Sequence, residues 1–195
     1  LDIIGAKLIR EVRPGEMIVT SDKGLKSVQI EEGIQKLDVF EFVYFARPDS
    51  YILGRSVDQV RQNLGKELAR ENQIKADIVI PIPDSAIPAA IGFSKASGIP
   101  FEIGLIKNRY IHRTFISPEE HSRRRIVQLK LNPMKHILGG KKVAVVDDSI
   151  VRGTTAKKLV VMLKKNGAKK VHIVSSSPPV KFPDFYGIDT PSQKN

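Results

Sequence analysis

The stretch Val143-Ala144-Val145-Val146-Asp147-Asp148-Ser149-Ile150-Val151-Arg152-Gly153-Thr154-Thr155 governs how the rest of the chain is read. Four apolar residues, the pattern of a strand, run into two adjacent carboxylates. A short loop of hydroxyls, one arginine and one glycine then leads into a helical pattern. In α/β proteins a strand's carboxyl end that opens into a helix amino end is where ligands bind. The loop's backbone N–H groups and the helix dipole suit a phosphate. Gly153 permits a close backbone approach, and Ser149, Thr154 and Thr155 add hydroxyl donors. Asp147 and Asp148 suit the hydroxyls of a sugar, or a metal held beside it. An isolated Asp-Asp would be read as a helix cap; with these flanks the reading is a sugar-phosphate site. No lysine stands in a G-x-x-x-x-G-K-[ST] arrangement, so a P-loop nucleotidase is disfavoured.

Outward from this segment, strands and helices alternate. A helix over Thr154 to Asn166 ends at Gly167, and Val171-His172-Ile173-Val174 is the next strand. Upstream, Asp77-Ile78-Val79-Ile80 is a compact strand. It leads through Pro81-Ile82-Pro83-Asp84-Ser85-Ala86 to a helix of small residues ending near Gly98, and Phe101 to Ile106 reads as a further strand. Ser56 is an N-cap candidate for a helix with Val57, Val60, Leu64 and Leu68 on one face. A polar, basic connection runs from Lys107 to about Gly140. The alternation predicts an α/β fold with a parallel, doubly wound sheet. Residues 1–45 differ and read as β-rich: Lys7–Val12, Met17–Thr20, Ser27–Ile30 and Phe40–Phe45 are strand candidates separated by turns at Arg13-Pro14-Gly15-Glu16 and Ser21-Asp22-Lys23-Gly24. So few strands bury little core, so this segment is an appendage or the end of a larger domain.

Composition narrows the function classes. The hydrophobic share of 41% and charged share of 27% over 195 residues are those of a soluble globular protein. No apolar run approaches the roughly 20 residues of a membrane span, and no signal pattern opens the chain. The absence of cysteine excludes disulfides, thiolate metal sites and a cysteine nucleophile, and fits a cytoplasmic location. The net charge of +11 invites a nucleic-acid reading, but the basic residues are spread over helix faces and one loop with no aromatic platform. Neither nucleic acid nor membrane is expected as a partner. His121, His136 and His172 lack metal-ligand spacing and read as surface or packing residues.

The Asp147–Thr155 segment resembles the ribose-phosphate signature of type I phosphoribosyltransferases, which bind phosphoribosyl pyrophosphate (PRPP). Its form Val-Asp-Asp-Ser-Ile-Val-Arg-Gly-Thr-Thr is similar to that of the glutamine-dependent amidophosphoribosyltransferase family. Three other segments agree with that family: Phe45-Ala46-Arg47-Pro48-Asp49-Ser50 with its interdomain junction, Lys107 to Ile116 with its active-site loop, and Ser177-Pro178-Pro179-Val180 with Tyr186-Gly187-Ile188-Asp189 with the stretch after its next strand. The resemblance implies the type I fold, with residues 46–195 as the phosphoribosyltransferase domain and residues 1–45 as the β-rich remnant of a glutaminase domain.

By the same resemblance, Asp147 and Asp148 hold the ribose hydroxyls and Mg²⁺, while Ser149, Ile150, Val151, Arg152, Gly153, Thr154 and Thr155 wrap the 5′-phosphate. Asp84, Ser85 and Ala86 form the pyrophosphate loop, with Ser85 a metal contact; read locally, Asp84 and Ser85 are equally well a helix cap. Lys107, Tyr110, Arg113 and Lys130 would be the catalytic residues that close over PRPP; a solvated basic loop is the alternative. His112 stands where the family loop commonly carries glycine. The implied reaction transfers the phosphoribosyl group of PRPP to ammonia, opening purine synthesis, with purine nucleotides as inhibitors and a homo-oligomer as the assembly. A nucleobase phosphoribosyltransferase or a non-catalytic PRPP sensor are the alternatives. The family's glutaminase uses an N-terminal cysteine that this chain lacks, so glutamine hydrolysis is not expected, and the chain is expected to be an internal fragment or an abbreviated paralogue. Cluster cysteines of some members fall at Asp38 and Asp184, so no iron–sulfur cluster is expected.

Overall fold

The computed structural model describes residues 4–108, 131–150 and 154–179. The chain divides into two compact units, Leu1–Asp38 and Val39–Asn195. In the first, strands β1 (Glu16–Ser21) and β2 (Gly24–Gln29) form an antiparallel hairpin in the register Ser21↔Gly24, with Asp22 and Lys23 making the turn. The carboxylate of Glu16 gathers the chain around it. It accepts from Arg10, from the Arg13 backbone N–H at 2.8 Å and from the Ser27 hydroxyl, which together hold its pKa down to about 2. Lys7–Val12, expected as a strand, has no strand partner in the structure.

The second unit begins with a difference from the sequence pattern. Phe40–Phe45, read as a strand within the β-rich segment, carries a π-helical turn over Glu41–Phe45 and lies in the second unit. Its aromatic and β-branched residues favour strands in isolation, but tertiary contacts override that propensity. Phe42 and Val43 are buried, and the carbonyls of Phe42 and Ala46 are taken by Arg61. A short hairpin of β3 (Tyr51–Ile52) and β4 (Arg55–Ser56) then delivers the chain to helix α1 (Val57–Glu71). Ser56 caps α1, its hydroxyl accepting from the Gln59 N–H at 3.3 Å.

The site is positioned by a parallel sheet of β5 (Ile78–Pro81), β8 (Lys142–Asp147) and β9 (Lys170–Ser175), in the order β5-β8-β9. Phe101 adds a parallel bridge to Val79 on the outer side of β5. Between them in sequence lie helix α2 (Ile87–Ser97), strands β6 (Leu105–Lys107) and β7 (Leu131–Pro133), the one-turn helix α3 (Lys135–Leu138) and helix α4 (Thr154–Lys165), which follows β8. Phe101–Ile106 is therefore not one strand. Gly104 packs so closely that a Cβ there would sit 2.9 Å from Ile80 Cγ2, and beyond it β6 turns to pair antiparallel with β7. That turn brings Lys107 opposite Leu131.

Alternate residues of the strands feed two cores, as a sheet covered on both faces requires. Val79, Ala144, Val146 and Val174 pack with Leu68 of α1 and Ala89, Ala90 and Phe93 of α2. Ile78, Ile80, Val143 and Val145 pack with Leu105, Leu138 and the α4 residues Leu159 and Leu163.

The α1–α2 crossing depends on two glycines. A Cβ at Gly65 would lie 1.9 Å from the Ala89 carbonyl oxygen, and one at Gly92 would lie 1.9 Å from that of Gln62. In an exposed helix interior, Gly→Ala gains about 1 kcal/mol. Here the obstacle is backbone, which cannot swing aside, so overpacking of about 1–3 kcal/mol wins. We expect Gly65→Ala to lower stability by that order in urea unfolding; unchanged or raised stability would contradict the close crossing.

Candidate functional site

All three parallel strands end at one edge, and their following loops meet there. Pro81 pairs with Val146, and Asp147 with Ser175. Past the register, the Ile82 N–H donates to Val146 O and the Ser176 N–H to Asp147 O, both at 2.9 Å. These bonds fix the backbone on either side of the carboxylate pair.

The two carboxylates are not equivalent. Asp148 is 7% exposed and its side chain points inward, where Oδ2 accepts from the Ser85 hydroxyl and Oδ1 from the Ser149 hydroxyl at 2.7 Å. Asp147 is half-buried, and its Oδ1 accepts from the Asp148 N–H at 2.9 Å. Burial, and then the neighbouring Asp148 charge, push the Asp147 carboxyl up to about 7, while the Asp148 N–H acts in the opposite direction.

Ser85 reaches Asp148 because α2 starts immediately after it. Ala86, fully buried, is the N-cap residue, and its N–H donates to Ile82 O at 3.4 Å. Asp84, beside it, accepts from Lys107 Nζ at 2.9 Å across exposed surface. The structure therefore brings together Asp84, Ser85, Ala86, Lys107, Asp147, Asp148 and Ser149, with Ile150 44% exposed just beyond. Thr154 and Thr155 open α4, their backbone in its first turn. Tyr110, Arg113, Lys130, Val151, Arg152 and Gly153 lie outside the described residues. His172 lies on β9 with Nε2 buried, and burial followed by the Lys170 charge pushes its pKa down, as for a neutral packing side chain.

One buried charged residue of α1 is not singled out by the sequence pattern. Arg61 of α1 is 3% exposed. The face of α1 that packs inward is Val57, Arg61, Gly65 and Leu68, while Val60 and Leu64 are half-buried. An arginine and a glycine at i, i+4 spacing after Val57 do not register as an apolar stripe.

Divalent-cation chemistry fits the donor set. Two adjacent carboxylates and a serine hydroxyl, with no cluster of three His, Cys, Asp or Glu among the described residues, do not make an all-protein cage. They suit an ion such as Mg²⁺ that keeps substrate phosphates and water as ligands.

A parallel sheet with packed helices, its strands ending together beside a carboxylate pair, defines an α/β domain. The chain belongs to the phosphoribosyl transferase domain family, whose model matches residues 53–177. Among relatives, it is 54% identical over 194 residues to amidophosphoribosyltransferase of Synechocystis sp., covering 99% of this chain and 39% of that protein. It is 50% identical over 190 residues to the enzyme of that name in Bacillus subtilis, covering 97% of this chain and 40% of that one. Two solved structures are similar throughout. The allosteric regulatory enzyme of purine biosynthesis superposes with a TM-score of 0.87 at 49% identity, over 100% of this chain and 42% of that one. Glutamine PRPP amidotransferase from B. subtilis, complexed with ADP and GMP, gives 0.86 at 50% identity, over 98% and 42%. The fold is thus the type I phosphoribosyltransferase fold. The chain spans about two fifths of the length of these relatives.

The raised Asp147 pKa has a defined sign. The folded protein holds a proton that the unfolded chain, with a carboxyl pKa of about 4, has released, so this group's contribution to stability falls as pH rises from about 4 to about 7. We expect Asp147→Asn to flatten the decline in melting temperature over that interval and to melt higher than the parent protein at pH 8. Parallel pH profiles for the two proteins would refute the assignment.

Proposed function

We propose that this chain is the phosphoribosyl-transferring part of a glutamine-dependent amidotransferase. It would transfer the phosphoribosyl group of PRPP to ammonia, giving 5-phosphoribosylamine and pyrophosphate, the first step of de novo purine synthesis. The observation that carries this reading is the cluster of Ser85, Asp148 and Ser149 beside Asp147 at the carboxyl edge of the sheet, within a family match covering residues 53–177. The relatives named amidophosphoribosyltransferase, at 50–54% identity over nearly the whole chain, support this branch of the family.

The chemistry follows from where charge develops. The anomeric C–O bond of PRPP breaks with its electron pair leaving on pyrophosphate, and an oxocarbenium-like ribose remains for the ammonia lone pair; the resulting ammonium loses one proton. Asp147 and Asp148 orient the ribose through its hydroxyls and sit opposite the growing positive charge. The Mg²⁺ that accompanies PRPP, held at Asp147, Asp148 and Ser85, would supply charge neutralisation at the pyrophosphate. Lys107, with Tyr110, Arg113 and Lys130 from the adjoining loop, would neutralise the leaving group and exclude water. Residues 149–155 would bind the 5′-phosphate through backbone N–H groups and the amino end of α4. No protein nucleophile is needed.

The first unit would be the closing strands of a glutaminase domain. Its exposed Ile9 and Ile34, 90% and 84% accessible, are consistent with surface covered by such a domain. Purine nucleotides are the proposed regulators, a reading supported by the B. subtilis enzyme's structure with ADP and GMP. A homo-oligomeric assembly and a cytoplasmic location belong to the same proposal. Among the described residues no helix is long and apolar enough to cross a membrane.

The test is pyrophosphate release from PRPP and Mg²⁺, with ammonia and then with glutamine. Release with ammonia alone is expected. Asp147→Ala and Arg113→Ala should each lower it by about 100-fold or more with circular dichroism unchanged. Unchanged rates in both variants would remove the site assignment, and saturable PRPP binding without turnover would point to a sensor instead.

A further inference from the structure

An ion pair between distant parts of the chain stands beside the loop that leads into α2. The pairs Arg10–Glu16, Arg47–Asp49 and Arg70–Glu67 join residues two to six positions apart. Lys107 Nζ instead donates to Asp84 Oδ2 at 2.9 Å across 23 residues, from the end of β6 to the start of α2. Both side chains are exposed, at 57% and 69%. The Asp84 carboxylate does not cap the helix. The N-cap of α2 is Ala86, which makes no side-chain cap bond, and what Asp84 gives α2 is its backbone carbonyl, accepting from the Ile87 N–H at 3.4 Å. Lys107 is anchored from behind, because Leu105 of the same strand is fully buried and Lys107 itself lies opposite Leu131. Its ammonium is thus delivered to one place, and the group it meets there is a carboxylate. A negative charge on a loop that receives a polyanion opposes the ligand, so this carboxylate calls for a role that acts through the lysine.

We infer that Asp84 sets the affinity of the site for pyrophosphate by competing for Lys107: a ligand gains the lysine's N–H donors only as its own anion replaces the Asp84 carboxylate, and the carboxylate takes the lysine back as pyrophosphate leaves. The inference rests on the proposed reading, which puts pyrophosphate at Asp84–Ala86. Exposure makes the exchange practicable. An ion pair in water shifts an equilibrium by a factor of a few, enough to loosen the product without barring the substrate. A buried pair would hold the lysine too firmly, since parting it strands a charge away from water. Lysine also suits the task better than arginine. Its ammonium is a compact charge on a flexible stem, with three rotatable donors that pass from one acceptor to another without a fork to realign.

The experiment is calorimetric titration of the full chain with inorganic pyrophosphate and with ribose 5-phosphate, both in the presence of Mg²⁺. It compares the parent protein with Asp84→Asn, Lys107→Met and their combination. Ribose 5-phosphate has the sugar and its phosphate but no pyrophosphate, so the ratio of the two affinities isolates the pyrophosphate end of the site. Asp84→Asn is expected to raise that ratio in favour of pyrophosphate by about two- to fivefold, the size of an exposed ion pair. The gain should shrink at about 0.5 M salt, where exposed charges are screened. It should also shrink in the Lys107→Met background, where no lysine is left to exchange. An equal gain in that background would reduce Asp84 to simple repulsion and overturn the inference. A ratio that falls in Asp84→Asn would make Asp84 a group that holds the ligand, and would overturn it as well. If the parent binds both ligands and the ratio ignores Asp84→Asn, this inference alone fails. If the parent binds neither, the phosphoribosyl reading fails and takes the inference with it.

Discussion

Two carboxylates side by side at the mouth of an apolar strand repel each other and resist leaving water, yet β8 ends in Asp147 and Asp148 follows directly. The chain keeps them there by giving each different surroundings. Asp148 turns inward onto two hydroxyls, Ser85 from the start of α2 and Ser149 from its own loop. Asp147 remains half-buried and is bonded by the backbone N–H of its neighbour. The flanking strands fix the backbone between them, through Ile82 on one side and Ser176 on the other. A strand end without paired neighbours could not hold this arrangement, so the parallel sheet is a condition of the site and not merely its support.

Several other features serve that constraint. Ser85 can meet Asp148 only if α2 begins at the right height over the sheet. The α2 position is set by its packing on α1, where Gly65 and Gly92 let the two backbones approach. Ala89, Ala90 and Phe93 fill the space between α2 and the sheet. Small residues on α2 thus translate into the placement of a single hydroxyl, and the low side-chain volume of Ala86-Ile87-Pro88-Ala89-Ala90 has a direct reading in the site.

Much of this was legible in the amino-acid order because parallel strands buried on both faces carry uninterrupted apolar runs. Ile78–Ile80 and Val143–Val146 stood out for that reason, and turn and cap residues marked where α1, α2 and α4 begin or end. The misread segments were those in which tertiary contacts overrule local preference. Phe40–Phe45 has the composition of a strand, but the carbonyl of Phe42, and that of Ala46 just after the segment, bond to an arginine 19 and 15 residues further on. Phe101–Ile106 was broken by the close approach of Gly104 to Ile80, a contact that no local pattern reveals. At the site, the residues of the Asp147–Ser149 and Asp84–Ala86 segments could be named in advance, whereas their pairing across 63 residues of sequence could not. Arg61 was invisible for the converse reason: an isolated arginine in a helix usually reads as surface.

The antiparallel pairing of β6 with β7 has a consequence for how this protein can change. Leu105–Lys107 and Leu131–Pro133 lie side by side, so the segment between them is closed by one antiparallel pair of strands, with Lys107 opposite Leu131. Lengthening such a closed excursion is entropically mild, about 0.6 kcal/mol for each doubling. The segment can therefore change in length at little cost while the sheet and its carboxylates stay as they are. The sheet and the segment that β6 and β7 enclose become separately heritable parts of one domain.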